Sequence, residues 1–323
     1  MKPSHIRVCL LCLLIFNLSC KDTKTNSAKE ANTTIEEESN SPFFKLSLAQ
    51  WSLHRTFNDK GVSPFKFASI SQEMGFEGLE YVNHLYKKQI DNLGFDAVID
   101  SLLALSIEHE MENILIMVDG EGDLASPDEA ERNQAVVNHK KWVDAAKKLG
   151  CHSIRVNTFG TNDPKEWLPS VVDGLKKLST YAARQNINIL CENHGWLSSD
   201  AFMLMEAIGM VGMENCGTLP DFGNWCVKRK AGEKWGECVE EFEDKYKGIE
   251  LMLKEAEAVS AKSYNFDQKG NEKTLDYPRI MQLVKDSGYK GFVGVEYEGK
   301  EIPEKDGILA TKKLLLKSAK LLD

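Results

Sequence analysis

The chain has 323 residues, of which 42% are hydrophobic and 28% are charged, a composition typical of a globular protein with a large core. Its 49 acidic residues outnumber its 40 basic residues, so the formal net charge is −9 at pH 7. Because nucleic acids and anionic membrane surfaces repel an acidic chain, we expect neither nucleic acid nor a lipid surface to bind through a basic face.

The N-terminal segment is typical of a bacterial secretory signal. Two basic residues precede the apolar run VCLLCLLIFNLS, and Cys20 follows it. Cys20 after Leu18 and Ser19 resembles the acylated cysteine of bacterial lipoproteins, although Asn17 stands where such signals carry an aliphatic residue. We expect residues 1–19 to be a signal peptide and Cys20 to carry a lipid anchor in the bacterial cell envelope, on the periplasmic or outer-membrane surface. A cleaved signal without lipid and an uncleaved anchor are the alternatives.

Residues 20–42 have the composition of a disordered tether. The stretch KDTKTNSAKEANTTIEEESNSP contains a single isoleucine and no aromatic residue. Such a stretch cannot bury enough apolar area to offset the entropy cost of ordering it. The folded domain is therefore expected to span residues 43–323.

From residue 43 onward, short apolar runs alternate with longer amphipathic runs, the pattern of repeated β-α units with a parallel sheet. Eight units match a single-domain α/β fold, the (β/α)8 or TIM barrel, in count, order and size. An open doubly wound sheet is the alternative, although no GxGxxG follows the first strand. The strands are predicted at 44–52, 77–83, 112–118, 152–158, 187–193, 216–221, 258–264 and 291–297, and the helices near 64–74, 95–109, 127–149, 164–185, 199–212, 237–256, 276–287 and 303–322.

Polar side chains collect at the carboxyl ends of the predicted strands, where barrel enzymes carry their active sites. Because side chains alternate along a strand, residues two apart share a face. The polar residues expected to face inward are Gln50, Ser52, His54, Glu80, Arg155, Asn157, Glu192, His194, Asp221, Ser260, Lys262 and Glu296.

Three of these side chains, Glu192, Asp221 and Glu296, occupy equivalent positions in their β-α units. Carboxylates that converge in a low-dielectric cavity repel unless protons, Lys262 and Arg155, or a divalent cation neutralise them. Such ligands permit Mn²⁺, Mg²⁺, Zn²⁺ or Co²⁺. A bound ion would stabilise the enediolate formed when a proton leaves the carbon beside a carbonyl, with two glutamates as acid and base. Solvated acids at unrelated loop starts are the alternative.

Six motifs in order, LAQWSLH, GFEGLEYVN, CENHG, LPDFGNW, SAKSYNF and GFVGVEYEG, resemble the sugar phosphate isomerase/epimerase family with the xylose isomerase-like TIM barrel. The resemblance covers most of residues 43–300. In that family a Glu after the fifth strand, an Asp after the sixth, a His on the seventh and a Glu on the eighth hold the metal. The resemblance therefore implies Glu192, Asp221 and Glu296 as metal ligands here.

The seventh strand departs from the family pattern, because His-x-Lys is replaced by Ser260-Ala261-Lys262. A serine hydroxyl is a poorer ligand than imidazole. The resemblance then leaves three readings: His194 or water completes the metal shell, the metal binds more weakly, or the site has been adapted away from metal-assisted isomerisation.

The remaining site residues are assigned by position. Glu192 and Glu296 are the predicted acid and base, Lys262 is a charge partner or electrostatic stabiliser, and His54 is a substrate contact or proton shuttle. The loop FGNWCVKRKAGEKW offers aromatic surface for a sugar ring, with a solvated basic loop as the alternative. Substrate binding is predicted for Glu80, Arg155, Asn157, His194, Asn224 and Trp225.

The cysteines after Cys20 divide into two groups. Cys151, Cys191 and Cys216 start or lie within apolar runs and are expected to be core residues. The sequence leaves open whether Cys226 and Cys238 form a disulfide.

Together these features predict a carbohydrate isomerase or epimerase, or a related keto-sugar lyase, that uses metal-assisted proton abstraction. Export and the absence of an obvious phosphate-binding loop favour a non-phosphorylated sugar or glycoside as the small-molecule partner. The alternative is a lipid-tethered sugar-binding protein without turnover, which Ser260 favours. A metal-dependent abasic-site endonuclease is disfavoured by the acidic charge and the few inward histidines.

Overall fold

The computed structural model describes residues 42–322, so the predicted signal peptide, Cys20 and the tether lie outside the described residues, apart from the last tether residue. Ten strands and ten α-helices fall within this range. The strands are β1 (Lys45–Ala49), β2 (Gly78–Val82), β3 (Glu112–Val118), β4 (Ser153–Val156), β5 (Asn188–Glu192), β6 (Cys216–Leu219), β7 (Cys226–Arg229), β8 (Cys238–Glu241), β9 (Val259–Ser263) and β10 (Phe292–Tyr297). The helices are α1 (His54–Asn58), α2 (Phe67–Glu73), α3 (Lys87–Leu93), α4 (Phe95–Glu108), α5 (Glu129–Leu149), α6 (Pro164–Ala183), α7 (Ala201–Val211), α8 (Lys245–Met252), α9 (Tyr277–Asp286) and α10 (Glu304–Lys320).

Eight strands form one parallel sheet in the order β6-β5-β4-β3-β2-β1-β10-β9. The sheet curls until its two edges meet just beyond β6. There the Ser260 N–H donates to the Pro220 carbonyl at 3.0 Å, and the Phe222 N–H donates to the Ser260 carbonyl at 3.1 Å. These bonds confirm the predicted single-domain (β/α)8 barrel.

The predicted alternation of faces along the strands is present. Leu48, Cys191, Ala261 and Val295 are fully buried, as expected for the interface between barrel and helices. The adjacent residues Ser47 and Lys262 instead contact carboxylates, Ser47 that of Glu80 and Lys262 that of Glu296. Position 294 has room only for glycine, because a Cβ there would clash with a carboxylate oxygen of Glu80 at 2.4 Å.

Local residues set the ends of two long helices. The Asp128 side chain caps α5 by accepting from the Glu131 N–H at 2.9 Å. Gly150 ends the same helix with a φ of +80°, the left-handed conformation that glycine adopts without strain. Asp163 caps α6 ahead of Pro164, whose missing N–H costs nothing in the first turn.

Several predicted boundaries differ from the structure by a few residues, and two of these differences have a visible cause. The first strand ends at Ala49, because the Gln50 side chain accepts from the Val82 N–H at 2.9 Å and donates to the Tyr86 hydroxyl at 2.7 Å, which turns residues 50–53 into a 3-10 helix. The helix predicted over 237–256 begins only at Lys245, because β8 pairs with β7 in an antiparallel hairpin. Among residues 42–322, no helix is both long and apolar enough to span a membrane.

Candidate active site

A cavity of about 1000 Å³ opens at the carboxyl ends of the barrel strands. Aromatic side chains, among them Trp51, Phe159 and Trp235, line part of its wall. The charged lining residues are the acids Asp119, Glu121, Asp123, Glu131, Glu296 and Glu298 and the bases Arg155, Arg229 and Lys234. The position of this cavity is where barrel enzymes bind substrate.

The three carboxylates predicted to converge are adjacent. Glu192, Asp221 and Glu296 each offer a carboxylate oxygen, and these atoms lie within 4.8 Å of one another. All three side chains are buried. Carboxylate oxygens are ligands that hard divalent cations take, so the donor set fits a metal ion. These three residues could therefore hold one.

Ser260 links two members of this cluster. Its hydroxyl lies 2.8 Å from Asp221 Oδ2 and 2.7 Å from Glu296 Oε2. A hydroxyl carries a single proton and donates to one carboxylate at a time. Burial raises the pKa of Asp221 well above its usual range, against the opposing effect of Lys262, so a shared proton in this group is favoured.

Lys262 supplies the positive charge on the same side of the barrel. Its Nζ lies 2.9 Å from Glu296 Oε1, 2.8 Å from Glu298 Oε1 and 3.5 Å from Asp221 Oδ2. Burial by itself would lower the pKa of Lys262, but Asp221 and Glu296 outweigh it and hold the pKa well above its usual range. Lys262 therefore stays an ammonium group beside the carboxylates.

Glu192 has a separate set of partners. Its Oε2 lies 2.9 Å from Arg155 Nε, and its Oε1 accepts from the Asn224 side-chain amide at 3.0 Å. Burial raises the pKa of Glu192 to about 7, although Arg155 opposes the shift. A carboxyl group with a pKa near 7 can both take up and release a proton at neutral pH.

A polar network joins this site to the cavity wall. Asp119 Oδ1 accepts from Arg155 at 2.7 Å and from Asn157 Nδ2 at 2.6 Å, and Asp119 Oδ2 lies 3.4 Å from His84 Nδ1. Burial would raise the pKa of Asp119, but Arg155 and His84 bring it below its usual range. Asp119 is therefore an anion that holds Arg155 and Asn157 in place.

His194 is oriented by Asn157. Its Nδ1 lies 2.6 Å from Asn157 Oδ1, so in this arrangement Nδ1 carries the proton and Nε2 is left as an acceptor. Burial lowers the pKa of His194 to about 4. The imidazole is therefore neutral at pH 7, the form that accepts a hydrogen bond or binds a metal ion.

Of the predicted site residues, Arg155, Asn157, His194, Asn224 and Glu296 line the cavity. Glu192, Asp221 and Lys262 are buried next to Glu296. The remaining three, Glu80, His54 and Trp225, lie elsewhere. The Glu80 carboxylate points into the barrel interior, where it accepts from the Ser47 hydroxyl at 2.5 Å. The His54 ring stacks on Trp51 at 4.4 Å, and it is Trp51 that contacts the cavity. Trp225 is 3% exposed and donates to the Phe222 carbonyl at 2.9 Å.

Three residues on the cavity wall were not singled out as site residues from the sequence. Asp119 directly follows β3, so the strand-end rule was a sufficient signal. Glu298 lies two residues beyond Glu296 and shares its face, which alternation also signals. For Trp235 the sequence indicates only that it belongs to an aromatic loop. Its position on the cavity wall depends on how β7 and β8 pair.

The chain matches a family of known proteins over most of its length. Residues 68–318 match the model described as xylose isomerase-like TIM barrel. A shorter stretch of 58 residues is 40% identical to the C-glycoside deglycosidase alpha subunit of Arthrobacter globiformis. That stretch is 17% of this chain and 16% of the deglycosidase subunit, so the chain matches about a sixth of the length of this curated relative.

Solved structures share the fold at low sequence identity. The Escherichia coli 3-keto-D-glucoside 4-epimerase superposes with a TM-score of 0.62 at 15% identity, covering 84% of this chain and 98% of the epimerase. An IolI protein with a bound zinc atom gives a TM-score of 0.63 at 16% identity, covering 86% of this chain and 99% of that protein. A sugar epimerase and a zinc-binding protein thus share this architecture. By its family match and its fold, the chain belongs to the xylose isomerase-like TIM barrel family.

Proposed function

We propose that the protein is a carbohydrate isomerase or epimerase, or a related keto-sugar lyase, that removes a proton from the carbon beside a carbonyl. The observation that carries this proposal is the convergence of Glu192, Asp221 and Glu296, of which Glu296 lines the large cavity in the barrel mouth. Two of the proteins that the chain resembles act on sugars, as their names state. They are a 3-keto-D-glucoside 4-epimerase and a C-glycoside deglycosidase subunit, and both support sugar chemistry here.

The two glutamates are suited to different steps because their surroundings differ. Glu192, with its pKa raised to about 7, takes the proton from carbon, while Arg155 and Asn224 fix the direction of its two oxygens. Glu296, held by Lys262 and Ser260, returns a proton from the other side of the carbon. In a lyase, the same abstraction would be followed by loss of a β-leaving group.

A divalent cation held by Glu192, Asp221 and Glu296 would polarise the substrate carbonyl and stabilise the negative charge on its oxygen. Manganese, magnesium, zinc and cobalt all suit these ligands, and His194 presents its Nε2 as an acceptor for a fourth ligand or for a substrate hydroxyl. Lys262 keeps the cluster from repelling itself when no cation is bound.

The charges of the cavity support a non-phosphorylated sugar. Two of its three basic lining residues are ion-paired, Arg155 with Glu192 and Asp119 and Lys234 with Asp123. The third, Arg229, donates to the Gly236 carbonyl and keeps its charge. Six carboxylates line the same wall. A phosphate dianion would meet net repulsion there, whereas hydroxyl groups would find many acceptors.

The test is exchange of solvent deuterium into sugars. Purified protein is incubated in D₂O with ketoses, aldoses and 3-keto-glycosides, with each of the four metals or with chelator, and exchange is followed by NMR. We expect metal-dependent exchange in the wild type and a loss of at least about 100-fold in Glu192→Gln and in Glu296→Gln. Glu131→Gln, a carboxylate change elsewhere on the cavity wall, is the matched control.

Circular dichroism and thermal unfolding establish that the variants fold. Wild-type exchange rates in either glutamine variant would show that the acid and base assignment is wrong. Tight sugar binding by the wild type with no exchange in any sugar would favour the alternative, a sugar-binding protein without turnover, which Ser260 in place of an imidazole ligand supports.

A further inference from the structure

A disulfide-closed hairpin contributes Arg229, Lys234 and Trp235 to the cavity wall. It comprises β7, β8 and the loop between them, and a disulfide joins Cys226 at the start of β7 to Cys238 at the start of β8. At its tip, Lys234 Nζ lies 2.7 Å from both carboxylate oxygens of Asp123, in the loop after β3. Because β3 and β6 are three strands apart around the barrel, the hairpin is anchored at two well-separated points.

The tip of this hairpin contributes to an aromatic group on the cavity wall. The Trp235 ring lies 5.4 Å from the Phe159 ring and 5.0 Å from the His194 ring, measured between centroids. Trp196 packs edge-on against Phe159 at 5.5 Å and donates its indole N–H to the Glu233 carbonyl at 2.9 Å. Contacts from two barrel loops thus hold Trp235 in place.

Trp235 keeps a large apolar surface available despite these contacts. Its side chain lines the cavity and the residue is 52% exposed. A half-exposed indole that is held on one side presents a rigid stacking surface at low entropic cost. Lys234, the neighbouring cation, is neutralised by Asp123, so this part of the wall selects for shape rather than for negative charge.

The aromatic group lies next to the carboxylate cluster. His194 contacts Trp235 and is two residues beyond Glu192, so a sugar bound at the carboxylates would have Trp235 beside it. The cavity volume of about 1000 Å³ is at the upper end of the range for small-molecule sites, about 300 to 1000 Å³, and exceeds what one sugar ring fills.

We propose that Trp235, Phe159 and His194 form an outer subsite for a flat apolar group attached to the reacting sugar. The substrate is then a glycoside and not a free monosaccharide. This inference rests on the proposed function, whose reacting sugar occupies the carboxylate end of the cavity. The flat group is an aromatic aglycone or the apolar face of a second sugar ring, since both stack on an indole.

The test compares three probes that differ only in the attached group: the 3-keto forms of methyl glucoside, phenyl glucoside and a glucose disaccharide. Binding is measured by calorimetry and reaction by deuterium exchange. We expect Trp235→Ala to weaken binding of the phenyl probe, the disaccharide probe or both by about five- to tenfold and to change the methyl probe by less than about twofold. Trp235→Phe should keep most of the affinity.

Phe202→Ala is the matched control, because Phe202 is an exposed aromatic that does not line the cavity. The probe that loses affinity in Trp235→Ala identifies the attached group. Equal losses for all three probes, or no loss for any, would overturn the subsite. If the wild type exchanges no probe but binds the phenyl or disaccharide probe in a Trp235-dependent way, the subsite stands and the proposed function fails. If the wild type exchanges the probes but Trp235→Ala shows no preference among them, the proposed function stands and the subsite fails.

Discussion

Individual residues at the barrel mouth are arranged so that each candidate acid or base has its own cation. Arg155 lies between Glu192 and Asp119, and Lys262 lies among Glu296, Glu298 and Asp221. Buried ion pairs of this kind contribute little net stability, but loss of one partner leaves an uncompensated charge that costs about 3 to 5 kcal/mol. The pairing therefore keeps several carboxylates together in a buried site that a cation or substrate can enter.

Glu80 gives a pH-dependence prediction at this scale. Burial raises its pKa from 4.5 to about 8, so between these values the folded state holds a proton that the unfolded state has lost. The stability that this proton provides is complete below pH 4.5 and is lost as the pH rises through 8. Glu80→Gln cannot lose a proton, so we expect it to gain stability relative to wild type by up to about 1 kcal/mol for each pH unit from 5 to 8.

Urea unfolding at pH 5, 6, 7 and 8 measures this difference. Glu77→Gln, an exposed carboxylate just before the same strand, is the control and should follow the wild-type curve. Parallel curves for wild type and Glu80→Gln would show that Glu80 is ionised in the folded protein.

Ser260 gives a second prediction at the residue scale. Ser260→His places an imidazole beside Asp221 and Glu296, where the hydroxyl now lies within hydrogen-bond distance of both carboxylates. We expect the affinity for Zn²⁺ or Mn²⁺ to rise by at least about tenfold, because imidazole is a stronger ligand than a hydroxyl. Calorimetric titration and metal analysis give the readout, with Ser260→Ala as control. Equal affinity in the two folded variants would rule out the position as a ligand site.

At the scale of elements, the barrel strands position the carboxylates and the connections between strands shape the cavity. Strands β5, β9 and β10 are short and buried, so their registers fix the heights of Glu192, Ser260 and Glu296. The β7–β8 hairpin is an addition to the β-α repeat and is held by a disulfide and by the Lys234–Asp123 ion pair. We therefore expect the hairpin to become more mobile when the Cys226–Cys238 disulfide is reduced.

Reduction of this disulfide gives the prediction at the element scale. The disulfide closes a loop with a sequence separation of 12. By restricting the unfolded forms of this loop, it stabilises the folded hairpin by about 3 kcal/mol. We expect dithiothreitol to speed trypsin cleavage within 228–234 by at least about tenfold while the barrel stays uncut, as measured by mass spectrometry of timed digests. The other described cysteines are free and buried, so reduction leaves them unchanged.

The double variant Cys226→Ser/Cys238→Ser should be cleaved at the reduced rate without dithiothreitol. Cleavage at equal rates in the oxidised, reduced and variant proteins would show that the ion pair and the aromatic contacts of the hairpin hold it without the disulfide.

At the scale of the whole molecule, we propose that the barrel is exported and held in the cell envelope through a lipid on Cys20. The N-terminal sequence motivates this proposal, and the Cys226–Cys238 disulfide supports it, because structural disulfides persist in oxidising compartments outside the cytoplasm. A substrate met in the envelope would carry no phosphate, in keeping with the carboxylate-rich cavity and with the glycoside proposed above.

Export is tested on the full chain in a bacterial host. We expect the wild type in the membrane fraction with a mature N-terminus that begins at an acylated Cys20, identified by mass spectrometry. Cys20→Ser should lose the lipid and leave the membrane fraction. A wild-type N-terminus that begins at another residue, or one without lipid, would contradict the anchor.

Local patterns in the sequence are sufficient to predict the barrel and most of its polar interior. Apolar periodicity and helix boundary residues are local signals, so the eight β-α units and the inward positions of Glu192, Asp221 and Glu296 follow from short stretches of chain. The strand-end rule also points to Asp119, which directly follows β3. These features need no knowledge of which distant residues meet.

The partners of these residues follow from the tertiary structure. The Ser260 contact with Asp221, 39 positions away, depends on closure of the barrel between β6 and β9. Its contact with Glu296, 36 positions away, depends on the pairing of β9 with β10. The burial of Trp225 and the exposure of Trp235 depend on how the hairpin pairs and where Lys234 meets Asp123, 111 residues away. Contacts of such long range are set by strand register and loop packing, and no local pattern of residues encodes them.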